Sequence, residues 1–381
     1  MSKLTISRRL PDPAPVGSYR PEDVLFLLKD LSSISLERGT EDREEAIQSG
    51  THYSEMLPVE YQPSAEYIKL FHQTLQESAR KVALAAGIVS ELVIRKRGFD
   101  IVLASLARAG TPIGILMKRY VKQRYDKDLP HYSLSIIRGK GIDENAILYI
   151  HERHPERFIQ FVDGWTGKGA IRKVLIEAAQ RMDEKYGIHF EDDLAVLADP
   201  GWCSETFGTR EDFLIPSACL NSTVSGLMSR TVLRNDLIGP DDYHGAKYYR
   251  EWLTEDVSNH FVDTVSLYFA EVFEEAAAEA ERLYHSPAST EASWKGMKDI
   301  EQIRNEFGIK DVNLIKPGVG ETTRVLLRRV PWKILVDRMD NPNLKHILLL
   351  AEDKGVPVEV YPQLTYSCCG LIKPVKGGEP L

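Results

Sequence analysis

Four short apolar runs constrain the fold of this chain more than any other feature. They are DIVLASLA (100–107), HYSLSII (131–137), FIQFVDGW (158–165) and DLAVLADP (193–200), and each ends in a polar or glycine-containing loop. Their continuous apolar character and β-branched content suit strands buried on both faces. Helical patterns lie between them: RAGTP leads into IGILMKRYV, and TGKGA into IRKVLIEAAQRM. Strand and helix in repeated alternation imply an α/β fold with an open, mostly parallel sheet flanked by helices. Ligands of such sheets bind at the carboxyl ends of the strands.

Outside this stretch the chain divides by composition. Residues 1–20 are polar and proline-rich and read as an extended arm, and DVLFLLKDL (23–31) after Pro21 is expected as a short helix. Ser64 is placed to cap a longer helix running through AEYIKLFHQTLQESARKVALAAGIVSEL. Residues 247–285 read as helical, and HSPAST (285–290) has linker composition. From about Asp299 a small α/β unit begins, with strand-like NLIKP, KILV and VPVEVY and helical segments at GVGETTRVLLRRV and NLKHILLLAEDKG. The expected division is an N-terminal arm and supporting helices (1–89), a sheet domain (90–290) and a small C-terminal α/β domain (299–375).

Bulk properties narrow the function. The net charge of −8 argues against a general nucleic-acid binder, although residues 300–381 carry 12 Lys and Arg against 10 Asp and Glu. No apolar stretch approaches a membrane span, and the N-terminus lacks the apolar segment of a secretory signal. The four cysteines, Cys203, Cys219, Cys368 and Cys369, form neither CxxC spacing nor a Cys/His cluster, so a reducing cytoplasm is expected and structural zinc is not.

Three loops follow the strands where a ligand is expected. In VDGWTGKGAI, Asp163 closes a strand, glycines 164, 167 and 169 permit tight turns, Thr166 supplies a hydroxyl and a helix starts at once. Backbone N–H groups at a helix start attract anions. The plain alternative is a glycine-rich turn with no ligand. The pattern is not GxxxxGK[ST], which argues against a P-loop NTPase. A second loop, Arg108, Ala109, Gly110 and Thr111, again stands between strand and helix. A third, containing Arg138, Gly139, Lys140 and Gly141, is basic and suits a lid, or else a solvated surface turn.

VDGWTGKGAI and LARAGTP resemble the 5-phosphate and pyrophosphate loops of type I phosphoribosyltransferases, over roughly residues 90–235. One departure stands out: the family's paired acidic residues are reduced here to Asp163 followed by Gly164. The resemblance implies phosphoribosyl transfer, with Thr166, Gly167, Lys168 and Gly169 on the 5-phosphate and Asp163 on the ribose. Arg108, Ala109, Gly110 and Thr111 would hold pyrophosphate, with Arg138 and Lys140 closing over it. Mg²⁺ would arrive through the pyrophosphate, without direct protein ligands. LIKPGVGETTRVLLRRVPWKILV and VEVYPQLTYSCCGLIKP are similar to the pelota-type RNA-binding domain. The combination resembles a family of bacterial stress and tellurite-resistance clusters, which is also named cysteine protease StiP. The partners so implied are phosphoribosyl pyrophosphate or another phosphorylated nucleotide, RNA through the C-terminal domain, and a second copy of the chain, with no membrane.

The segment LADPGWCSETFGTREDFLIPSACLNSTVSGLMSRTVL (196–233) is the densest polar patch. In the sugar-phosphate reading Asn221, Ser222 and Ser225 contact the acceptor; the alternative is a capped helix packing through small residues. The protease name makes Cys203 the alternative nucleophile, which needs a histidine to draw off its proton. His154, His189 and His244 are the candidates. Asp241 and Asp242 suit helix caps. In the C-terminal domain Arg324 and Arg328 share a helix face, with Arg329 beside them and Thr322 as an expected cap; this cluster is the expected RNA contact. A non-catalytic nucleotide- or RNA-binding stress protein is the remaining alternative.

Overall fold

Each of the four apolar runs forms a strand, and the helices between them cover the sheet. In the computed structural model residues 10–60, 62 and 64–372 are described, without the side chains of Thr40, Glu41, Glu44, Gln48 and Arg328. Residues 1–9 of the expected arm and 373–375 of the expected C-terminal domain lie outside the described residues.

Strand β1 (Leu25–Leu27) precedes the long helix α1 (Ala65–Arg97). There follow β2 (Ile101–Leu106), α2 (Gly110–Tyr125), β3 (His131–Leu134), α3 (Glu144–Arg153) and β4 (Phe158–Trp165). Then come α4 (Ala170–Tyr186), β5 (Leu194–Ala198) and β6 (Thr206–Thr209). The six strands lie in the order β1-β3-β2-β4-β5-β6, every neighbouring pair parallel. The doubly wound order brings the carboxyl ends of β2 and β4 side by side, so their loops share one rim.

Residues 23–31 correct the expectation of a helix. Leu25–Leu27 pairs with β3, and Lys29–Asp30 pairs with Gly245–Ala246. Phe26, Leu27 and Leu28 are all but inaccessible, which an extended sheet edge covered on both faces achieves and a surface helix does not. The segment before residue 90 therefore shares one sheet and one core with the strands of the sheet domain.

Helix α1 begins where Ser64 accepts the N–H of Tyr67 at 3.5 Å, and it runs 33 residues. It buries Phe71, Leu75, Val82, Val89 and Leu92. It meets the edge strand so closely that a Cβ on Gly208 would stand 2.2 Å from the Ala85 carbonyl oxygen. The same constraint holds at the rim: a Cβ on Gly110 would stand 2.3 Å from the Val162 carbonyl oxygen. Gly110→Ala is expected to destabilise the fold by ~2 kcal/mol or more, because the obstacle is backbone of a central strand. A urea midpoint equal to that of the parent chain would refute this.

The region 247–285 forms a 3₁₀ turn (Arg250–Glu255) and two helices, α5 (Ser258–Ser266) and α6 (Phe269–Tyr284). The linker-like HSPAST contains a short helical turn at Pro287–Thr290. The C-terminal domain consists of α7 (Lys295–Glu306), β7 (Ile315–Pro317), α8 (Val319–Arg328), β8 (Pro331–Val336), α9 (Lys345–Asp353), β9 (Val358–Val360) and β10 (Cys368–Ile372). Its sheet order is β7-β10-β8-β9, with β10 antiparallel to both neighbours. Gly318, at φ +90°, opens α8; the expected cap Thr322 instead lies buried within the helix, its hydroxyl donating to the Lys316 carbonyl at 3.3 Å. Val319, Leu326, Ile334 and Val336 belong to the same apolar core as the large sheet. Among the described residues no helix is long and apolar enough to cross a membrane.

Candidate functional site

Two neighbouring arrangements occupy the rim of the sheet. The first is built on Asp199, directly after β5. Its carboxylate is fully buried and accepts the N–H groups of Cys203 at 2.9 Å and Ser204 at 3.0 Å. The Thr166 hydroxyl and the Arg210 guanidinium also donate to it. Burial raises the Asp199 carboxyl above its ordinary value, and Arg210, the hydroxyl and the two N–H groups pull the other way. The guanidinium carbon of Arg210 lies over the Phe207 and Trp202 rings, 3.9 and 4.3 Å from their centroids. These contacts fold residues 199–205 into a tight return from the end of β5 to the start of β6.

Cys203 lies in that return, fully buried. Its Sγ faces the Gly201 carbonyl at 3.3 Å and the Gly167 carbonyl at 3.9 Å. Burial, and then the Asp199 charge, pushes the thiol up to about 12. The other three cysteines are buried free thiols as well. Cys203 alone among them borders the open cleft of about 690 Å³ between α4 and the carboxyl end of α1. His189, Arg97, Arg172 and Asp192 line the same cleft. Of the three candidate partner histidines, His154 bonds Tyr132 and His244 bonds Ser135, whereas His189 shares the cleft with the cysteine.

The C-terminal domain covers the loop on its other side. The Tyr366 hydroxyl donates to the Gly167 carbonyl at 3.0 Å, and Lys168 Nζ donates to the Val312 carbonyl at 2.6 Å. Trp294 packs against Gly169, where a Cβ would stand 2.2 Å from its ring. Asp212 forms a clamp: its carboxylate accepts the N–H groups of Val319 and Ser367, each at 2.9 Å, and burial pushes it up to about 6.

These contacts redirect several expected site residues. The hydroxyl of Thr166 is engaged by Asp199, and Lys168 by Val312, so neither is presented to a phosphate. Thr111 is buried against Ser133 at 2.8 Å. Ser222 donates to Glu60 at 2.8 Å and Ser225 to the Asn221 carbonyl at 2.7 Å, inside and beside a 3₁₀ turn rather than a capped α-helix. Asp242 receives Lys29 and the Gly239 N–H instead of capping a helix. Arg324 donates to Glu321 and to the Ala218 carbonyl and lies 5.3 Å from the Trp165 ring, so it braces the two domains. The Arg328 side chain lies outside the described residues. Arg329 is exposed just past the helix end.

The second arrangement unites Arg108, Ala109 and Gly110 with Asp163 and Gly164; a Cβ on Gly164 would stand 3.1 Å from the Ala109 carbonyl. Asp163 accepts the Gly164 N–H at 2.7 Å, and burial pushes its carboxyl up to about 7. Arg138 and Lys140 lie on the exposed turn of a hairpin formed by Ile136–Ile137 and Gly141–Ile142. Tyr53 and Arg230 stand beside this turn; Arg230 lies in the polar segment 196–233 that the sequence marks, whereas Tyr53 does not. Nothing local marks Tyr53, which lies more than eighty residues before the hairpin it touches.

Comparison with known proteins places these features. Residues 17–266 match the family model described as tellurite-like stress resistance cysteine protease StiP, and residues 294–374 match the PELOTA RNA binding domain. A relative from Acinetobacter baylyi, named cysteine protease StiP, is 32% identical over 353 residues, which cover 90% of each chain. These matches overturn the expectation of a phosphoribosyltransferase, since both the family and the relative carry the name of a cysteine protease. The strand-to-helix loops on which that expectation rested are turns that much of the sheet's own architecture requires, and two of their key side chains are engaged internally. The chain belongs to the StiP family of tellurite-like stress resistance cysteine proteases and carries a pelota-type RNA-binding domain at its C-terminal end.

Proposed function

We propose that this chain is a stress-response cysteine peptidase, with Cys203 as its nucleophile and His189 as the base, and that the conformation described is a resting one, which opens in solution to an active form that turns substrate over. The observation that carries the reading is the shared cleft: Cys203 borders it, and His189 lines it. The thiol must lose its proton to attack a peptide carbonyl. In the active form that proton passes to His189, a thioester forms on Sγ, and the amine leaves with the proton. Water then hydrolyses the thioester. Latency has a physical basis in the thiol's environment, since burial and the Asp199 charge both oppose ionisation. The C-terminal domain, in this reading, binds RNA. Four free thiols fit a reducing cytoplasm.

The test is hydrolysis of an unstructured protein substrate by the full chain, followed as release of new amino termini between pH 6 and 9. Cys203→Ala is expected to abolish hydrolysis, and His189→Ala to slow it ~10²-fold or more, the scale of a lost general base. Cys219→Ala is expected to leave the rate unchanged. A Cys203→Ala protein as active as the parent, or a parent without hydrolysis, overturns the reading.

A further inference from the structure

The rim of the large sheet carries a convergence of guanidinium groups that peptide hydrolysis at Cys203 does not use. Tyr53 stands between two of them, with Arg138 at 5.4 Å and Arg230 at 5.3 Å from its ring centroid. The geometry is fixed by hydrogen bonds. The Arg138 N–H donates to the Tyr53 hydroxyl oxygen at 2.9 Å, and Arg230 donates to the carbonyls of Tyr53 at 2.9 Å and Met56 at 3.4 Å. Arg108 reaches the Met228 carbonyl at 3.1 Å, two residues from Arg230. The Nε of Arg230 is buried with no hydrogen-bond partner among the described residues.

Like charges surround Arg230. Burial, then Arg43, Arg108 and Arg138, push its guanidinium down to about 10. A fold that draws cations together in this way suits an anion arriving from outside. The same positive field extends toward the C-terminal domain. Arg138 acts on Lys168, which burial, Lys316 and Arg138 push down to about 8, and on Lys316, which burial, Arg329 and Arg138 likewise push down. The acids facing Lys168 and Lys316 are Asp311 and Glu321; Glu321 is itself paired with Arg324 at 2.8 Å, and Asp311 caps a 3₁₀ turn. Arg138 thus lies within electrostatic reach of Lys168 on the sheet-domain loop and of Lys316 on the C-terminal domain.

We propose that single-stranded RNA held by the C-terminal domain continues onto the sheet rim, with its phosphates seated on Lys316, Arg138 and Arg230. This rests on the RNA-binding reading of residues 294–374. Cations gathered at the rim, with Tyr53 holding two of them in place, supply the sequence-independent backbone contacts by which single strands are held. The two groups that converge on Tyr53 are guanidiniums, which suit phosphate oxygens approached in pairs.

The experiment is fluorescence anisotropy of a labelled single-stranded RNA dodecamer with the full chain, from low to physiological salt. Arg138→Ala, an exposed change, and Arg230→Met are each expected to weaken binding by ~3–10-fold. Each is also expected to lower the slope of log affinity against log salt by about 0.7, the value for one lost phosphate contact on a single strand. Thermal melting of each variant separates this from unfolding. Parent affinity and slope in both rim variants, with loss confined to Lys316→Ala or Arg329→Ala, would overturn the proposal and leave the C-terminal RNA reading standing. No RNA binding by the parent chain at low salt overturns both. Inorganic pyrophosphate is the second probe. If it raises the melting temperature of the parent but not of Arg230→Met, while RNA affinity is equal in the two, the rim serves a small phosphate ligand and the proposal fails.

Discussion

Asp199→Ala is expected to lose about 3–5 kcal/mol of stability, the cost of removing one partner from a buried ion pair. Arg210 would remain between Phe207 and Trp202 without its carboxylate, and the N–H groups of Cys203 and Ser204 would lose their acceptor. Urea unfolding at neutral pH measures this, and a loss under ~1 kcal/mol would show that the carboxylate does not organise the loop. Asp199→Asn keeps the shape and two acceptor bonds while removing the charge that helps hold the Cys203 thiol high. With that thiol at about 12, only ~10⁻⁴ of it is ionised at pH 8. Alkylation of Cys203, mapped by mass spectrometry, is therefore expected to be faster in Asp199→Asn than in the parent. An equal rate would remove Asp199 from the account of latency.

The second large effect concerns Asp163. Its carboxyl is pushed up to about 7 in the fold, against ~3.9 in an unfolded chain. Below pH ~4 both states hold the proton and nothing is lost. Between pH ~4 and 7 the unfolded chain has released its proton while the folded chain retains it, so stability falls as pH rises through this window. Above pH ~7 the whole penalty is present, at most about 4 kcal/mol. Asp163→Asn removes the ionisation and still accepts the Gly164 N–H. The variant should match the parent near pH 4 and become progressively more stable than it up to pH 8. Paired urea titrations at the two pH values measure this; a difference that does not grow with pH would refute the assignment.

The central strands were legible because burial on both faces writes continuous apolar runs into 100–107, 158–165 and 193–200. Leu25–Leu27 was not, since a short apolar run fits a helix or an edge strand equally well and its partner, β3, lies more than a hundred residues away. Strand β10 escaped for a related reason: CCGLI acquires meaning only between β7 and β8. At the site, the sequence disclosed the strand, loop and helix start around Asp163 and the closeness of the Arg108 loop, because neighbouring parallel strands impose it. It did not disclose where the polar side chains go. A threonine and a lysine in a glycine-rich loop serve a phosphate or the protein itself, and here their partners, Asp199 and Val312, come from 33 and 144 residues further on. The transferase expectation failed at that step, because local pattern specified the turn and not the destination of its donors.

The position of β10 has a consequence for synthesis. It is the last described strand of the chain, yet it lies between β7 and β8, so β7 has no partner in the sheet, and β8 only β9, until residues 368–372 are made. Tyr366 and Ser367, which bond Gly167 and Asp212, immediately precede it and reach back 199 and 155 residues. The large sheet is complete once Thr209 has left the ribosome, and the return loop closes with Arg210. A nascent chain therefore passes through an interval in which the cysteine loop exists without its C-terminal cover, and that interval ends only when Tyr366 and β10 have been made.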